Sequence, residues 1–568
     1  MDTENSKTMS KWSLSEFYKF GKFQKQIMLL LFLASVPNGI SSIILVFIHD
    51  VPTHHCKPDP NISLAMVVGA GTDLNSSLFN IPTEFDAQGI EVPSSCLKFK
   101  VDSNYTGNNS NISGALSVVQ CDQGWVYNIK ENQATTVTEW DLVCQNAWIR
   151  PLMTTLNLFG YLIGSITSGV VSDRFGRRPI FLVTTFIQFV SLFVASFAPT
   201  IESYAVIIFL VGLTGLINYQ TACVLGAELV EPSKRALMGT LINVAFTIGY
   251  MLLPGMAYLL PDWRWLTRVS GLMGVLYVPY YWLIPESPRW LIQTGRVNEA
   301  KVIFKKIAKV NKTSTPVVDA KQLLNLKKVD FEDSVAEVQQ LSYLDLFRLR
   351  DIRTRSLCLI LSWFSTSLMY YMISLNTTSL GGNKYVNCFI SAAVEIPALI
   401  TTYFTLQKIG RVLPLSVFFI IASLLYGSIP LLMQVNQTAV LVAAMISKFL
   451  VTIIFLLIYI YTCELFPTMM RHKSLGAAST IARLGGMVMP YLFYAGEKVH
   501  FSFPYIVMCV IGVLTGVSAM CMPETLNEPT PDTMEDALKL KRKYFTSCCG
   551  KTADNEFVEE EDSNEVRI

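Results

Sequence analysis

The chain has 568 residues, 51% of them hydrophobic and 15% charged, with a mean hydropathy of +0.40. Soluble domains carry about 25% charge, so this composition excludes an ordinary soluble globule and points to lipid. A net charge of +2 offers no basic surplus for nucleic acid.

A membrane-spanning helix needs roughly 20 mostly apolar residues. In chain order such stretches are predicted at 26–48, 149–171, 179–198, 203–226, 237–258, 265–284, 355–375, 384–405, 413–433, 438–461, 474–495 and 501–522. The expected fold class is therefore an all-α membrane protein with twelve transmembrane helices. The first apolar run, Ile27 to Ile48, follows a polar segment containing lysines, so it reads as an uncleaved signal-anchor.

Basic residues near span ends orient the chain. Lys11, Lys19, Lys22 and Lys25 precede the first span, and Arg174, Arg177 and Arg178 follow the second. Lys234 and Arg235 follow the fourth, Lys408 and Arg411 the eighth, and Arg471, His472 and Lys473 the tenth. All fall on one side, which predicts cytoplasmic termini in a multi-pass plasma-membrane protein.

The expected organisation is a cytoplasmic N-terminus (1–25), the first span (26–48), an extracellular loop (50–147), spans two to six (148–285), a cytoplasmic helical loop (286–353), a second six-helix bundle (354–522) and a cytoplasmic tail (523–568). The extracellular loop holds glycosylation sequons at Asn61, Asn75, Asn104, Asn108 and Asn111. Its four cysteines, Cys56, Cys96, Cys121 and Cys144, suggest two disulfides with three possible connectivities. The sequon at Asn311 falls on the cytoplasmic side and should stay bare.

Three motifs occur twice. Asp173-Arg174-Phe175-Gly176-Arg177 matches Gln407-Lys408-Ile409-Gly410-Arg411, Glu228 with Arg235 matches Glu464 with Arg471, and Pro285-Glu286-Ser287 matches Pro523-Glu524-Thr525. The offsets are 410 − 176 = 234, 464 − 228 = 236 and 524 − 286 = 238. Such a repeat predicts two six-helix pseudo-repeats in the same orientation. Asp173, Arg174, Arg177, Arg178, Glu228, Arg235, Glu286, Arg289, Arg411, Glu464, Arg471 and Glu524 are candidates for a cytoplasmic gate of ion pairs within and between halves. The alternative is that they only set topology.

Ionisable groups at bilayer depth are costly and mark functional sites. Glu395, Lys448 and Arg483 stand at that depth, all in the second half. One acid neutralises one base, which leaves a cation for a substrate carboxylate; the bland alternative is a structural ion pair plus a base that reaches water. The first half offers Asn38, Asn157, Gln188, Asn218, Tyr219, Gln220 and Asn243, which by themselves read best as interhelical hydrogen-bonding groups. Tyr219, Tyr250, Trp363, Tyr370, Tyr371 and Phe389 can hold an ammonium group by cation–π contact, or serve as packing and interfacial anchors.

At Gly169-Val170-Val171-Ser172-Asp173-Arg174-Phe175-Gly176-Arg177-Arg178 the chain resembles the major facilitator superfamily. Pro285-Glu286-Ser287-Pro288-Arg289-Trp290-Leu291 resembles its organic ion transporter branch. Pro37-Asn38-Gly39, Thr138-Glu139-Trp140, Asn218-Tyr219, Val386-Asn387-Cys388-Phe389, Val394-Glu395-Ile396-Pro397 and Glu464-Leu465-Phe466-Pro467-Thr468 narrow it to the organic cation/carnitine transporters. Gln407 departs from the pattern, where an acid is usual. The resemblance implies the major facilitator fold, the pairing Cys56–Cys121 with Cys96–Cys144, and Na⁺ as coupling ion at Asn38, Gln188, Asn218 and Tyr219. It also implies an arginine at position 483 for carnitine carriers, where cation carriers tend to hold Asp.

Sodium-coupled uptake of a carnitine-like zwitterion, by a monomer, is thus the expected function. Sodium-independent transport of organic cations or anions is the near alternative, and a non-transporting sensor on the same fold the distant one. No nucleophile–base pair, metal-ligand spacing or nucleotide motif suggests an enzyme or a cofactor. Val566 and Ile568 fit a C-terminal PDZ ligand, with an inert tail as the alternative, and Cys548-Cys549 reads as free thiols or a palmitoylation site.

Overall fold

The computed structural model describes residues 20–57, 81–85, 91–101, 116–312, 350–528, 531 and 534–540. The five loop sequons, Cys548-Cys549 and the C-terminal residues Val566 to Ile568 lie outside them.

The helices follow the predicted order. The first half contains α1 (Lys22–Ile43, continued by Leu45–Ile48), α2 (Ile149–Phe175), α3 (Arg177–Ala195), α4 (Ile201–Leu229), α5 (Arg235–Leu259) and α6, which begins at Trp263–Leu272. The second contains α7 (Arg350–Leu375), α8 (Lys384–Ala393 and Glu395–Lys408), α9 (Val412–Met433), α10 (Gln437–Leu465), α11 (Thr468–Lys498) and α12 (Phe503–Ala519). Among the described residues nine helices are long and apolar enough to cross a membrane. The shortfall from twelve falls on α6, α11 and α12. After Leu272, α6 gives way to a 3₁₀ stretch (Met273–Tyr277) and a short turn of helix (Tyr280–Leu283). α11 has the length, at 31 residues, but carries charge and small residues, and α12 has only 17 residues.

Local chemistry sets many helix ends. Thr200 caps α4 through Ser203 N, Asp262 caps α6 through Arg264 N, and Asn436 caps α10 through Thr438 N, each satisfying a backbone donor that the helix leaves free. Packing uses close backbone approach: Gly39 of α1 and Gly249 of α5 face each other, and a Cβ on either would strike the other helix's backbone. One apolar core fills the second half around Trp363, Phe419, Tyr426 and Tyr461. The first half packs around Phe181, Leu225 and Ile242 at one end and Tyr204, Tyr250 and Trp263 at the other.

The 50–147 segment contributes three two-stranded antiparallel sheets, a β component that the all-α reading did not include: His54–Cys56 with Trp125–Tyr127, Thr83–Phe85 with Glu91–Pro93, and Leu97–Val101 with Leu116–Gln120. Short strand pairs suit a segment that buries little apolar surface of its own and is stapled by disulfides. Cys56 pairs with Cys121 and Cys96 with Cys144, at Cα separations of 5.3 and 5.6 Å. The segment is tied to α6 by Glu139, which accepts from Trp263 Nε1 at 2.8 Å and Arg264 Nε at 3.0 Å.

The end of the bundle carrying these strand pairs is the loop face, and the opposite end is the motif face. At the motif face the 286–353 region contributes helices Pro288–Gln293 and Val297–Asn311. Asn311 Oδ1 accepts from Phe23 N at 2.9 Å and so occupies the start of α1 with its own side chain.

Candidate functional site

The repeated motifs build the same device in each half. Arg177 pairs with Glu228 (Nε–Oε2, 3.1 Å), and Glu286 accepts from Arg177 N at 3.1 Å. In the second half Arg411 pairs with Glu464 through both guanidinium arms at 2.9 Å, and Glu524 accepts from Arg411 N at 2.9 Å. Even the backbone contacts correspond: Arg177 Nη1 donates to Ser172 O and Arg411 Nη1 to Leu406 O. Gly176 and Gly410 turn the chain before each arginine at φ 103° and 110°. These are left-handed values that glycine alone adopts at little cost. Burial pushes the Glu286 carboxyl up, against the pull of the backbone N–H groups of Ser287, Arg178 and Arg177.

The sequence reading put ion pairs both within and between halves; among the described residues, the pairs made by Arg177 and Arg411 lie within halves. The short chain between α2 and α3, and between α8 and α9, places each arginine beside the acid at the end of the fourth helix of its own bundle. Asp173 joins Arg177 at 2.7 Å, while Arg174 and Arg289 are exposed. Arg178 lies over the Tyr281 ring. Arg235 is partly buried, and the side chain of Arg471 lies outside the described residues.

A cavity of about 230 Å³ lies at mid-depth between the halves. The first half lines it with Asn38 and Ser42 of α1, Tyr161 of α2, Tyr219 of α4, and Asn243 and Thr247 of α5. The second half adds Tyr370, Tyr371, Glu395, Phe455 and Arg483. Five of the nine predicted substrate-binding residues thus meet there: Arg483, Glu395, Tyr219, Tyr370 and Tyr371. Lys448 does not line it. It is fully buried behind Glu395 at 3.0 Å, donates to Ser374 Oγ and sits 3.4 Å from the Tyr370 ring centroid. Tyr250 is buried with its hydroxyl 3.3 Å from Ser391 Oγ, and Trp363 is buried with its indole N–H on Thr462 at 3.0 Å. Phe389 is 46% exposed on the outer surface of α8.

Glu395 is held by three groups: Lys448, the Tyr370 hydroxyl at 2.8 Å and the Thr247 hydroxyl of the other half at 3.1 Å. Arg483 has no carboxylate within ion-pair distance among the described residues; its Nη1 donates only to Ser479 O, at 3.3 Å. A buried pair that is satisfied and a neighbouring cation that is not are what the charge count of the sequence anticipates.

Three of the four predicted sodium residues form one chain of amides. Asn218 Nδ2 donates to Gln188 Oε1 at 2.9 Å, and Gln188 Nε2 donates to Asn38 Oδ1 at 2.8 Å. Asn218 Oδ1 and Thr221 Oγ1 are buried with no hydrogen-bond partner among the described residues. Tyr219 turns away and donates to Asn243 Oδ1 at 2.9 Å. The cavity residues Tyr161, Thr247 and Phe455 were not among the sequence candidates. The spacing Asn243, Phe246, Thr247, Tyr250, which is i, i+3, i+4, i+7, is the helical signal that would have found the α5 face.

Two bundles of corresponding motifs enclose a cavity, the architecture of transporters built from parallel repeats. The sequence profile described as "Sugar (and other) transporter" matches residues 94–536. Human "Organic cation/carnitine transporter 2" is 36% identical, covering 92% of this chain and 93% of its own. Mouse "Solute carrier family 22 member 4" is 35% identical over 97% of each. The E. coli xylose transporter XylE, in a partially occluded inward-open conformation, shares the fold with a TM-score of 0.56 at 14% identity, covering 87% of this chain and 98% of its own. The chain belongs to the major facilitator superfamily, in its branch of organic cation/carnitine transporters.

Proposed function

We propose that the protein is an alternating-access transporter that takes up a carnitine-like zwitterion across the plasma membrane with Na⁺, its termini cytoplasmic and its 50–147 segment outside. The observation that carries this is the central cavity, where Arg483 faces tyrosines and has no carboxylate of its own among the described residues. A guanidinium binds a carboxylate through two parallel hydrogen bonds. Tyr219, Tyr370, Tyr371 and Phe455 offer aromatic faces to an ammonium group. The coupling ion's ligands are oxygens of the Asn38–Gln188–Asn218 cluster, whose unpartnered Asn218 Oδ1 suits a hard cation. Orientation rests on the one-sided basic residues and on Asn311, whose side chain is engaged at α1 rather than open to glycosylation.

Facilitative transport of simple organic cations is the second reading, favoured by the carboxylate of Glu395 in the same cavity. Uptake of labelled carnitine and of a simple organic cation, each with and without Na⁺, separates the two. Na⁺-dependent carnitine uptake supports the first; cation uptake indifferent to Na⁺, without carnitine uptake, supports the second.

A further inference from the structure

A second cavity, of about 210 Å³, lies at the loop face between the halves. Four helices, α1, α2, α7 and α11, contribute to both cavities at different heights. α1 gives Asn38 and Ser42 to the central cavity and Val46 and His49 to the outer one; α2 gives Tyr161 and then Thr154. α7 gives Tyr371 and then Leu375 and is followed by Asn376 and Thr378; α11 gives Arg483 and then Tyr494. The outer cavity therefore continues the path of the central one, and between them Thr155 Oγ1 donates across the halves to Met487 O at 3.3 Å.

Two ion pairs cross between the halves here. Arg150 at the start of α2 meets Glu497 at the end of α11 at 2.7 Å, and Asp50 after α1 meets Lys384 at the start of α8 at 2.5 Å. Arg150, Glu497 and Asp50 all line the cavity.

We propose that this cavity is an entry-side binding site for the same class of zwitterion, in which the solute's carboxylate and ammonium take over Arg150 and Glu497 and so release the pair that holds this face shut. The solute class rests on the function proposed above. Charge balance selects it: a zwitterion replaces the pair without leaving a charge uncompensated, whereas a simple cation strands Arg150 and a simple anion strands Glu497. Glu497 is 41% exposed, and ion pairs this open to water are individually weak, so exchange costs little. Binding then favours opening, because the solute pairs fully only when the two halves no longer compete for the same groups.

The test places a thiol in the cavity with Thr378→Cys and follows its labelling by a membrane-impermeant maleimide applied at the loop face. Carnitine should slow labelling, and should still slow it when Arg483→Ala disables the central cavity. Adding Arg150→Ala should abolish that protection and speed labelling without solute by about two- to fivefold, the factor for an ion pair partly open to water. The charge swap Arg150→Glu with Glu497→Arg should restore slow labelling, which a merely misfolded variant would not do. Protection that vanishes with Arg483→Ala alone, or single variants that label no faster than Thr378→Cys itself, overturns the proposal. Carnitine uptake by the unmodified protein is read in parallel. Uptake without outer protection overturns this site alone, whereas absence of uptake overturns the reading of function as well.

Discussion

Arg483 combines a permanent charge, a place on the cavity wall and no carboxylate partner among the described residues. Lys448 cannot take its role, because it is fully buried against Glu395 and Ser374. Arg483→Lys keeps the charge but loses the planar fork. Carnitine uptake at low concentration should then fall about tenfold or more, since a charge-assisted hydrogen bond contributes roughly 1.5 kcal/mol or more. Arg483→Asp should abolish carnitine uptake. Uptake normalised to protein at the cell surface checks both, and normal carnitine transport by Arg483→Ala would place the carboxylate elsewhere. The charges themselves were legible in the sequence, because a base at bilayer depth stands out against apolar neighbours. Which aromatics surround them was not legible. Trp363 and Phe389 have the same chemistry as Tyr370, and only the rotation of each helix separates core, lipid and cavity.

Each motif-face element depends on one glycine. A Cβ at Gly176 would lie 2.5 Å from Glu286 Oε2, and one at Gly410 would lie 2.7 Å from Glu524 Oε2. With the left-handed φ added, Gly176→Ala and Gly410→Ala should each destabilise by about 1 kcal/mol or more. Thermal unfolding of the purified protein measures this, and an unchanged midpoint in both variants would show that neither motif depends on its glycine. The pairing also makes a sharper statement. Double-mutant cycles should find coupling of about 0.5–3 kcal/mol for Arg177 with Glu228 and for Arg411 with Glu464, and additivity for Arg177 with Glu464. Strong coupling in the last pair would restore the gate between halves that the repeat first suggested.

At the scale of the molecule, the halves meet along α2 with α11 and α5 with α8. Thr155 with Met487, Thr247 with Glu395 and Tyr250 with Ser391 bridge them. If solute enters from the loop face, these contacts must part. A cross-link between Thr155→Cys and Met487→Cys should stop uptake, and reductant should restore it. Uptake that continues with the bond demonstrably formed would exclude separation of the halves at this level.

The order of apolar stretches, the position of the long loop, the internal repeat and the mid-membrane charges were all determined by the sequence. Each is a local property: length, composition or spacing along one helix suffices to see it. The tertiary structure decided what depends on two helices at once. It divided the predicted aromatics between cavity and core, placed the pairs of Arg177 and Arg411 within their own halves, and broke α6 and α8 into shorter pieces. It also brought Arg150 to Glu497 and Asp50 to Lys384, residues more than 300 positions apart that in the sequence look only like ordinary polar span ends. A helix's own periodicity records that it has a buried face. It does not record whether that face meets lipid, a neighbour in the same bundle or the opposite half, because all three are apolar surroundings of nearly equal free energy.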